Sequence, residues 1–322
     1  MKLSIIIPLY NTEDYIEKCI LSIYSNLVFP LSDFEVIVIN DGSRDRSEEI
    51  VDKLTREYSN LILINKENGG QSTARNIGFK LAKGDYIFCL DSDDFVDNKI
   101  LFQALNYCID KNLDIMPIFH RIFDENYNVL PTKKDLYPVF ENIISGGEFL
   151  NTYVVSGSMW RYFYKKEIIV SNSLYLTEGI YHEDEEFIMK FLSYSRRVAY
   201  PRFLVYNHIV RSNSTVNRRD KTHRIKLLND ILKVIEHLNK HKEQFEKNTQ
   251  TYLGLSKKVE QLAISLFLRM KQDKLNRCEV ENFINKLEVI GMFPLKSKHL
   301  NYKFRIAKTI LNNRFLRQLY FR

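Results

Sequence analysis

The fold of this chain can be inferred outward from residues 86–95, which read YIFCLDSDDF. The first five residues have the length and aromatic content of a buried β-strand. The strand then ends in Asp91, Asp93 and Asp94, which are three carboxylates within four residues. Carboxylates this close together repel one another and raise each other's pKa. Another group is therefore expected to compensate for their charge.

Three explanations for this acid cluster are open. Asp93 or Asp94 could cap a helix that begins near residue 95, although a cap needs only one carboxylate. A divalent cation could bind here, because Mg²⁺ and Mn²⁺ often take one or two carboxylates together with substrate phosphates. One of the aspartates could instead accept a phosphoryl group. The spacing favours a cation with a nucleotide phosphate and leaves the other two explanations open.

The residues around this stretch predict a parallel sheet. Buried strands are predicted at Leu3–Leu9, 34–39, 61–64 and 86–90, because each is a short run of apolar and β-branched residues. Helices are predicted between them, at 48–58 and 71–82 among others, from apolar residues at helical spacing. Alternating units of this kind give an α/β fold, in which helices cover both faces of a mostly parallel sheet.

Polar residues follow each of the four predicted strands. In a parallel sheet these ends share one edge, and ligands bind there. Asp41 could accept a hydrogen bond from a nucleobase, Tyr10 could lie against the base or ribose, and Arg75 could pair with phosphate or with the acid cluster. The candidates at this edge, before the cluster, are Pro8, Tyr10, Asn11, Asp41, Asn68 and Arg75.

Length and composition restrict the class of protein. The chain has 322 residues, a net charge of +7 and a pI of about 9.0, which suits an anionic ligand or surface. It shows neither an 18-residue apolar run nor a secretory signal. Its cysteines, Cys19, Cys89, Cys108 and Cys278, have no metal-ligand spacing and are predicted to be reduced core thiols of a cytoplasmic protein.

The later part of the chain predicts a second region. A strand is predicted at 114–119, and residues 124–147 suggest an exposed excursion. The acidic run HEDEE, residues 182–186, leads into a helix. Strands are predicted at 198–200 and 204–209, and from residue 222 onward the periodicity is helical. We therefore predict a catalytic domain at 1–218 and a C-terminal helical region at 219–322.

The segments SIIIPLYN, VIVINDGSRDRS and KENGGQSTARNIGFKLAKGDYIFCLDSDD, followed later by HEDEEF, resemble in order and spacing the family 2 inverting glycosyltransferases of the GT-A fold. The segment WRYFYKKEII resembles one found in bacterial cell-surface polysaccharide members. Those members often have Trp-Asn-Lys there, whereas this chain has Arg161 and Tyr162 after the tryptophan. The resemblance implies a nucleotide-sugar donor, usually a UDP-sugar, and a divalent metal, Mn²⁺ or Mg²⁺.

The resemblance also implies roles for individual residues. Asp93 would bind the metal. Asp184 would act as the general base, with Glu183 and His182 in supporting positions; Glu185 and Glu186 would be solvated helix residues. His208 could complete the metal shell, and a hydrogen-bonded structural histidine is the other explanation for it. The nucleotide-sugar would be held by Pro8, Tyr10, Asn11, Asp41, Asn68, Arg75, Asp91, Ser92, Arg211 and Ser214.

The separate roles of Asp93 as metal ligand and Asp184 as general base have a physical reason. Inversion at the anomeric carbon needs a base on the face opposite the leaving group. The departing diphosphate gains negative charge, which a bound metal stabilises. The acceptor implied by the family is a hydroxyl of a glycan or of a lipid-linked molecule. A phosphotransferase and a basic membrane-binding adaptor are the alternatives, and the absence of Gly-Lys-Ser/Thr and Gly-x-Gly-x-x-Gly motifs disfavours P-loop and dinucleotide-binding proteins.

The final segment, 292–322, contains no acidic residue and eight basic ones. Leu300, Phe304, Ala307 and Leu311 would share one helix face. Such a helix suits an anionic membrane surface, so peripheral binding at the inner face of the cell membrane is one expectation. Packing on the catalytic domain is the other. Nucleic acid is not expected as a partner, because no nucleic-acid-binding module is recognisable.

Overall fold

The computed structural model describes residues 1–27, 29–131, 139–211, 221–295 and 302–321, with the main chain alone for 302–304. Within these ranges no helix combines the length and apolar composition that a membrane span requires. The predicted domain boundary at 218/219 falls outside the described residues and stays a prediction.

The strands and helices alternate through the first hundred residues, as predicted. The strands are β1 Leu3–Leu9, β2 Phe34–Asn40, β3 Leu61–Asn65, β4 Tyr86–Cys89, β5 Phe95–Val96, β6 Ile115–Pro117, β7 Phe119–Phe123, β8 Val129–Leu130, β9 Phe140–Ile144, β10 Tyr162–Lys165, β11 Val198–Tyr200 and β12 Leu204–Ile209. The helices are α1 Ile16–Tyr24, α2 Ser47–Thr55, α3 Gln71–Leu81, α4 Asn98–Asp110, α5 Gly146–Thr152, α6 Lys166–Ser171, α7 Glu183–Tyr194, α8 Lys221–Lys242, α9 Gln250–Gln272, α10 Arg277–Val289, α11 Tyr302–Asn312 and α12 Arg314–Tyr320.

The main sheet has eight strands in the order β3-β2-β1-β4-β10-β6-β11-β9. The four predicted strands, β1 to β4, are mutually parallel. Strand β10 is antiparallel to its neighbours β4 and β6. A smaller sheet, β5-β12-β7-β8, stands beside the end of β4. The carboxyl ends of β1 to β4 therefore share one edge.

The sheet is covered on both faces, as predicted. Side chains of β1 alternate between two hydrophobic cores, with Ile5 and Ile7 in one and Ile6 in the other. This alternation follows from the two-residue period of a strand. Helices α8 to α10 contribute Ile235, Val259 and other residues to the core that contains Ile6. The C-terminal helices are thus continuous with the core under the sheet.

The middle of the chain differs in part from its prediction. The strand expected at 114–119 is two strands, since β6 belongs to the main sheet and β7 to the small one. The excursion expected at 124–147 is largely exposed in its described residues, but it also contributes β9 to the main sheet, where β9 pairs with β11; residues 132–138 lie outside the described residues. Cys19, Cys89 and Cys108 are buried free thiols, but Cys278 is exposed and is therefore not a core thiol.

The tail helices pack on the C-terminal helices. Leu311 is buried and Ala307 lies against the core, so these members of the predicted apolar face turn toward the protein. Arg317 is buried and pairs with Glu281 at 3.6 Å. Other apolar side chains of the tail face solvent, including Phe315, which is 69% exposed.

Candidate active site

The four strand ends bring their polar residues together as the sequence predicts. The backbone N–H of Asp41 donates to the carbonyl oxygen of Leu9, and Leu90 donates in the same way to Ile6. These hydrogen bonds align the segments that follow β1, β2 and β4. The segments that carry the residues predicted to contact a nucleotide-sugar therefore leave the sheet side by side at one edge.

Asp41 holds the glycine loop, residues 66–70. Its carboxylate accepts hydrogen bonds from the backbone N–H of Gly69 at 2.8 Å and of Gly70 at 2.7 Å. The side chains of Asn68 and Lys66 also donate to it. Gly70 has a φ of +91°, which favours glycine at the start of α3. Asp41 thus fixes this loop, and its predicted contact with a nucleobase stays a prediction.

The predicted ligand residues at the end of β1 differ in their surroundings. Pro8 lies within the strand and pairs with Ile39 of β2. Tyr10 is 45% exposed, so its ring is available to lie against a ligand. Asn11 has a left-handed φ of 50°, and its side-chain oxygen accepts from the N–H of Arg44 at 2.8 Å.

The acid cluster does not cap the next helix. Helix α4 begins at Asn98, and its cap is Asp97, whose carboxylate accepts from the N–H of Ile100 at 3.1 Å. The capping explanation for Asp93 or Asp94 is therefore wrong. The short strand β5 separates the cluster from the helix and pairs with β12.

Each carboxylate of the cluster has a different partner. Asp91 accepts a hydrogen bond from Arg75 at 2.7 Å, and Asp93 pairs with Arg211. Asp94 is buried and accepts from the hydroxyl of Tyr206 at 2.7 Å and from the backbone of Ile209 at 2.7 Å. Asp94 is therefore a structural anchor for β12, whereas Asp91 and Asp93 are held by arginines at the sheet edge.

His208 lies beside this anchor rather than beside Asp93. Its Nδ1 is 3.1 Å from the Asp94 carboxylate. Burial by itself would lower the pKa of His208, but its hydrogen bond to Asp94 and the charges of the acid cluster raise it. Its imidazole also stacks on Trp160, with ring centroids 5.7 Å apart. His208 thus contacts the acid cluster through Asp94, and its predicted place in a metal shell stays a prediction.

Asp93 is the predicted metal ligand, and this role stays a prediction. Burial and the charges of Asp94 and Asp91 raise the pKa of Asp93 to about 6, although Arg211 acts in the opposite direction. Negative charge is therefore in excess at this point. In the described part of the chain, no group of three His, Cys, Asp or Glu side chains is arranged to hold a metal. The donor set fits a cation that draws most of its ligands from a bound diphosphate.

Arg75 connects the cluster to the acidic run. Its side chain is 4% exposed, donates to Asp91 and lies 3.7 Å from the Glu183 carboxylate. Gln71, one turn earlier on α3, donates to the same Glu183 oxygen at 2.7 Å. Arg75 thus pairs with acids here, which was one of its two predicted roles. Its contact with a nucleotide stays a prediction.

Two further predicted ligand residues are less informative. Ser92 is buried, and its hydroxyl is 3.0 Å from that of Thr12. Ser214 lies outside the described residues. Their contacts with a nucleotide-sugar stay predictions.

The carboxylates of the acidic run, apart from Asp184, are paired with cations. Glu183 pairs with Arg75, and Glu185 pairs with Lys258. Glu186 is 2% exposed and pairs with Lys190, so the expectation that Glu185 and Glu186 are solvated was wrong. Helix α7 lies between the sheet and the C-terminal helices. These helices bury an acidic first turn that the sequence alone suggests is exposed.

Asp184 is different from its neighbours. Its carboxylate accepts a hydrogen bond from the backbone N–H of Glu185 at 2.8 Å. No cation of the described residues lies within ion-pair distance of it. Burial, together with the charges of Glu183 and Glu185, raises the pKa of Asp184 to about 8. A carboxylate in this state can take a proton near neutral pH, as a general base must.

His182, the residue before α7, has a left-handed φ of 66°. Its Nε2 lies 3.2 Å from Arg269, which belongs to α9. Burial and the charge of Arg269 lower the pKa of His182 to about 4. The neutral imidazole therefore accepts from the guanidinium. It supports the acidic run from the side opposite Arg75.

Sequence reasoning missed the groups that surround these acids. Tyr206 anchors Asp94 and stacks on Trp160, with ring centroids 4.3 Å apart. Arg161, which departs from the pattern of relatives, lies 3.0 Å from a ring nitrogen of His120. Lys258 and Arg269 reach the acidic run from α9. Their helical spacing gave no signal beyond an ordinary amphipathic pattern.

Comparison with known proteins identifies the family of this chain. The model of "Glycosyl transferase family 2" matches residues 4–169, which is just over half of the chain. The uncharacterized glycosyltransferase EpsJ of Bacillus subtilis (strain 168) is 33% identical over 200 residues, which cover 61% of this chain and 57% of EpsJ. The chain thus spans little more than half of the length of that relative.

Two more relatives extend the comparison. The poly(ribitol-phosphate) beta-N-acetylglucosaminyltransferase TarP of Staphylococcus aureus (strain N315) is 28% identical over 245 residues, which cover 73% of this chain and 72% of TarP. The crystal structure of S. aureus TarS 1-349 in complex with UDP superposes with a TM-score of 0.72 and 22% identity, over 99% of this chain and 91% of that chain. The same protein with UDP-GlcNAc gives a TM-score of 0.71 at 19% identity, over 100% and 88% of the two chains.

These likenesses agree with the motifs and with the site they form. The similarity to TarS confirms the expected GT-A fold, and the family match spans the strand ends that carry Tyr10, Asp41 and the acid cluster. The chain therefore belongs to glycosyl transferase family 2.

Proposed function

We propose that this protein is an inverting glycosyltransferase that moves a sugar from a UDP-sugar to a hydroxyl of a glycan or lipid-linked acceptor in polysaccharide biosynthesis. The observation that carries the proposal is the contrast within the acidic run. Glu183, Glu185 and Glu186 have cationic partners, whereas Asp184 has none among the described residues and has a raised pKa. An unpaired carboxylate beside a donor site is suited to accept a hydroxyl proton.

Asp184 is the proposed general base. It would take the proton from the acceptor hydroxyl while that oxygen attacks the anomeric carbon from the face opposite the diphosphate. Glu183 is fixed by Gln71 and Arg75, so its role is to position α7 and to keep the pKa of Asp184 high. Arg75 joins this pair to Asp91, which would face the ribose or the sugar.

Asp93 is the proposed protein ligand of a divalent cation, Mn²⁺ or Mg²⁺. Its partly exposed carboxylate fits that role because neighbouring acids leave negative charge in excess. When bound, the cation would supply stabilisation of the charge that builds on the departing diphosphate. Arg211 pairs with Asp93. With a donor bound, the guanidinium of Arg211 would clamp the diphosphate by two hydrogen bonds, and Ser214 is proposed as a further contact.

The nucleoside would lie at the ends of β1 to β3, between Pro8, Tyr10, Asn11 and Asp41. Tyr10 offers an exposed ring for stacking on the base. Asp41 would accept from a base N–H, in exchange for one of the hydrogen bonds that it now receives from the glycine loop. Asn68 and Ser92 would complete this side of the site.

Donor and acceptor identity are supported only by relatives. TarS binds UDP and UDP-GlcNAc in its crystal structures, which favours a uridine nucleotide here. TarP acts on poly(ribitol-phosphate) by its name, which favours a polymeric acceptor of the cell envelope. The phosphotransferase alternative is disfavoured because no lysine and Ser/Thr occur at the spacing that a phosphoryl-accepting aspartate requires.

Release of UDP tests the proposal directly. The protein would be mixed with a panel of UDP-sugars, with and without Mn²⁺, and UDP would be measured by a coupled assay. We expect release from at least one donor, and proton NMR of the product should show the anomeric configuration opposite to that of the donor. Lack of UDP release and of UDP binding across the panel would contradict the proposal.

The tail is a proposed contact with anionic membrane. Phe315 and Leu319 are 69% and 45% exposed, and Arg314 lies beside them. Exposed apolar side chains with basic neighbours favour an anionic lipid surface. The cytoplasmic location and the 218/219 domain division stay predictions in the same way.

A further inference from the structure

A cavity of about 230 Å³ lies between the start of α7 and helix α9. His182 and Glu185, which flank Asp184 in the chain, line one side of it. Lys258, Gln261 and Arg269 of α9 line the other side. The cavity is thus formed by the C-terminal helices together with the acidic run, and it is separate from the strand ends that would hold the nucleoside.

The residues of α9 that line the cavity follow the helical period. Lys258, Gln261, Ser265 and Arg269 are spaced by three or four residues, so they share one face of the helix. The opposite face carries buried residues such as Ala263 and Phe267. A polar stripe on a long helix whose other face is core would ordinarily face open solvent. Here it faces the helix that carries the proposed base.

The charges of this cavity are unequal. Lys258 is neutralised by Glu185 and also donates to the carbonyl oxygen of Val155 at 3.2 Å. A side chain at Gly157 would come within 2.6 Å of a Glu185 oxygen, so the loop packs closely against this ion pair. Arg269 donates to the neutral His182 at 3.2 Å. Within the described chain no carboxylate pairs with Arg269, so its positive charge is not neutralised.

Asp184 stands in α7 between Glu183, which pairs with Arg75 of the donor side, and Glu185, which lines this cavity. Successive residues of a helix are rotated by about 100° from one another. Glu183 points to Arg75 and the acid cluster, whereas Glu185 points to Lys258 and the cavity. Asp184 falls between these two directions. A base in this position can reach a hydroxyl that comes from the cavity toward a sugar held at the strand ends.

We infer that the cavity between α7 and α9 is the acceptor subsite, and that Arg269 binds an anionic group of the acceptor chain, either a phosphodiester or a sugar carboxylate. Gln261 and Ser265 would donate to the neutral hydroxyls between that group and the reacting one. This inference rests on the proposed function and names the class of its acceptor: a hydroxyl-rich chain that carries regular negative charge.

The test measures binding to the UDP-loaded protein by calorimetry. The probes are a glycerol-phosphate oligomer, an oligogalacturonate and an uncharged maltooligosaccharide of similar length. The variant is Arg269→Gln. The control is Arg277→Gln, which removes the same charge from an exposed position of α10 outside the cavity. UDP affinity is measured for every protein.

We expect an anionic oligomer to bind and Arg269→Gln to weaken it about tenfold or more, because a charge-assisted hydrogen bond is lost. Arg277→Gln should change this affinity less than twofold, and added salt should weaken binding to the wild type. Loss with the phosphate oligomer alone identifies a phosphodiester, and loss with the galacturonate alone identifies a carboxylate.

The inference is overturned if neither anionic oligomer binds the UDP-loaded wild type, or if Arg269→Gln binds them as tightly. It is also overturned if Arg269→Gln weakens UDP itself, because the arginine would then belong to the donor site. If the wild type fails to bind UDP at all, the proposed function is wrong and the subsite falls with it.

Discussion

The raised pKa of Asp184 predicts a steep pH dependence near neutrality. Burial and the charges of Glu183 and Glu185 raise it to about 8. Because a general base must be ionised to accept a proton, about a tenth of the enzyme would be active at pH 7 and about nine tenths at pH 9. We expect kcat/KM for UDP release to rise about tenfold over this range.

The assay would follow UDP release with the best donor of the panel, from pH 5.5 to 9.5, with Mg²⁺ to avoid precipitation of manganese hydroxide. UDP affinity at each pH separates donor binding from the titration of the base. In Asp184→Asn the rate should fall about a hundredfold or more and the rise with pH should disappear. A flat profile in the wild type, or an unchanged rise in Asp184→Asn, would refute the assignment.

A matched variant makes this test sharper. Glu183→Gln keeps an acceptor for Gln71 but removes a charge that raises the pKa of Asp184. The midpoint of the profile should therefore move to lower pH, while the plateau rate falls less than in Asp184→Asn. If Glu183→Gln loses more activity than Asp184→Asn, the roles of the two carboxylates are reversed.

Stability gives an independent readout of the same pKa. The folded protein keeps a proton on Asp184 that the unfolded chain releases above its ordinary pKa of 3.8. This group therefore lowers stability progressively as pH rises from about 4 to about 8. Asp184→Asn should raise the melting temperature relative to wild type more at pH 8 than at pH 5. An equal change at both pH values would mean that the pKa is not raised.

Three other predictions can be measured with one or two substitutions each. Asp93→Asn should leave the protein folded and remove the Mn²⁺-dependent part of its UDP affinity; unchanged affinity in calorimetry would exclude Asp93 as the metal ligand. Arg75→Gln should lower the free energy of unfolding in urea by about 3–5 kcal/mol, because it leaves two acids without their buried cation. Arg46→Gln, which breaks an exposed pair, should have no measurable effect, and equal losses would contradict this reasoning. Phe315→Ser with Leu319→Ser should weaken salt-sensitive flotation with anionic liposomes at unchanged melting temperature, whereas undiminished flotation would exclude the tail. Truncation before the tail is a poorer test, since Leu311 is part of the core.

Much of the donor side was readable from the sequence. The run 86–90 and its acids predicted a strand end at a ligand site, and β4 with the acid cluster stands there. Gly69 and Gly70 follow the third strand of the predicted sheet, and at this edge their N–H groups bind Asp41. These features are local, because apolar runs, glycines and adjacent charges record the environment of the residues that carry them.

The sequence by itself determined the α/β class, the order of the strands along the chain and the short list of acids, since each depends on residues close together in the chain. Only the tertiary structure decided which of those acids has a cationic partner among the described residues. Gln71 meets Glu183 across 112 positions, and Lys258 reaches Glu185 from a helix that the sequence presents as ordinary. Ion pairs of this kind depend on how distant helices pack. They leave no periodic trace, and they are what separates Asp184 from its neighbours.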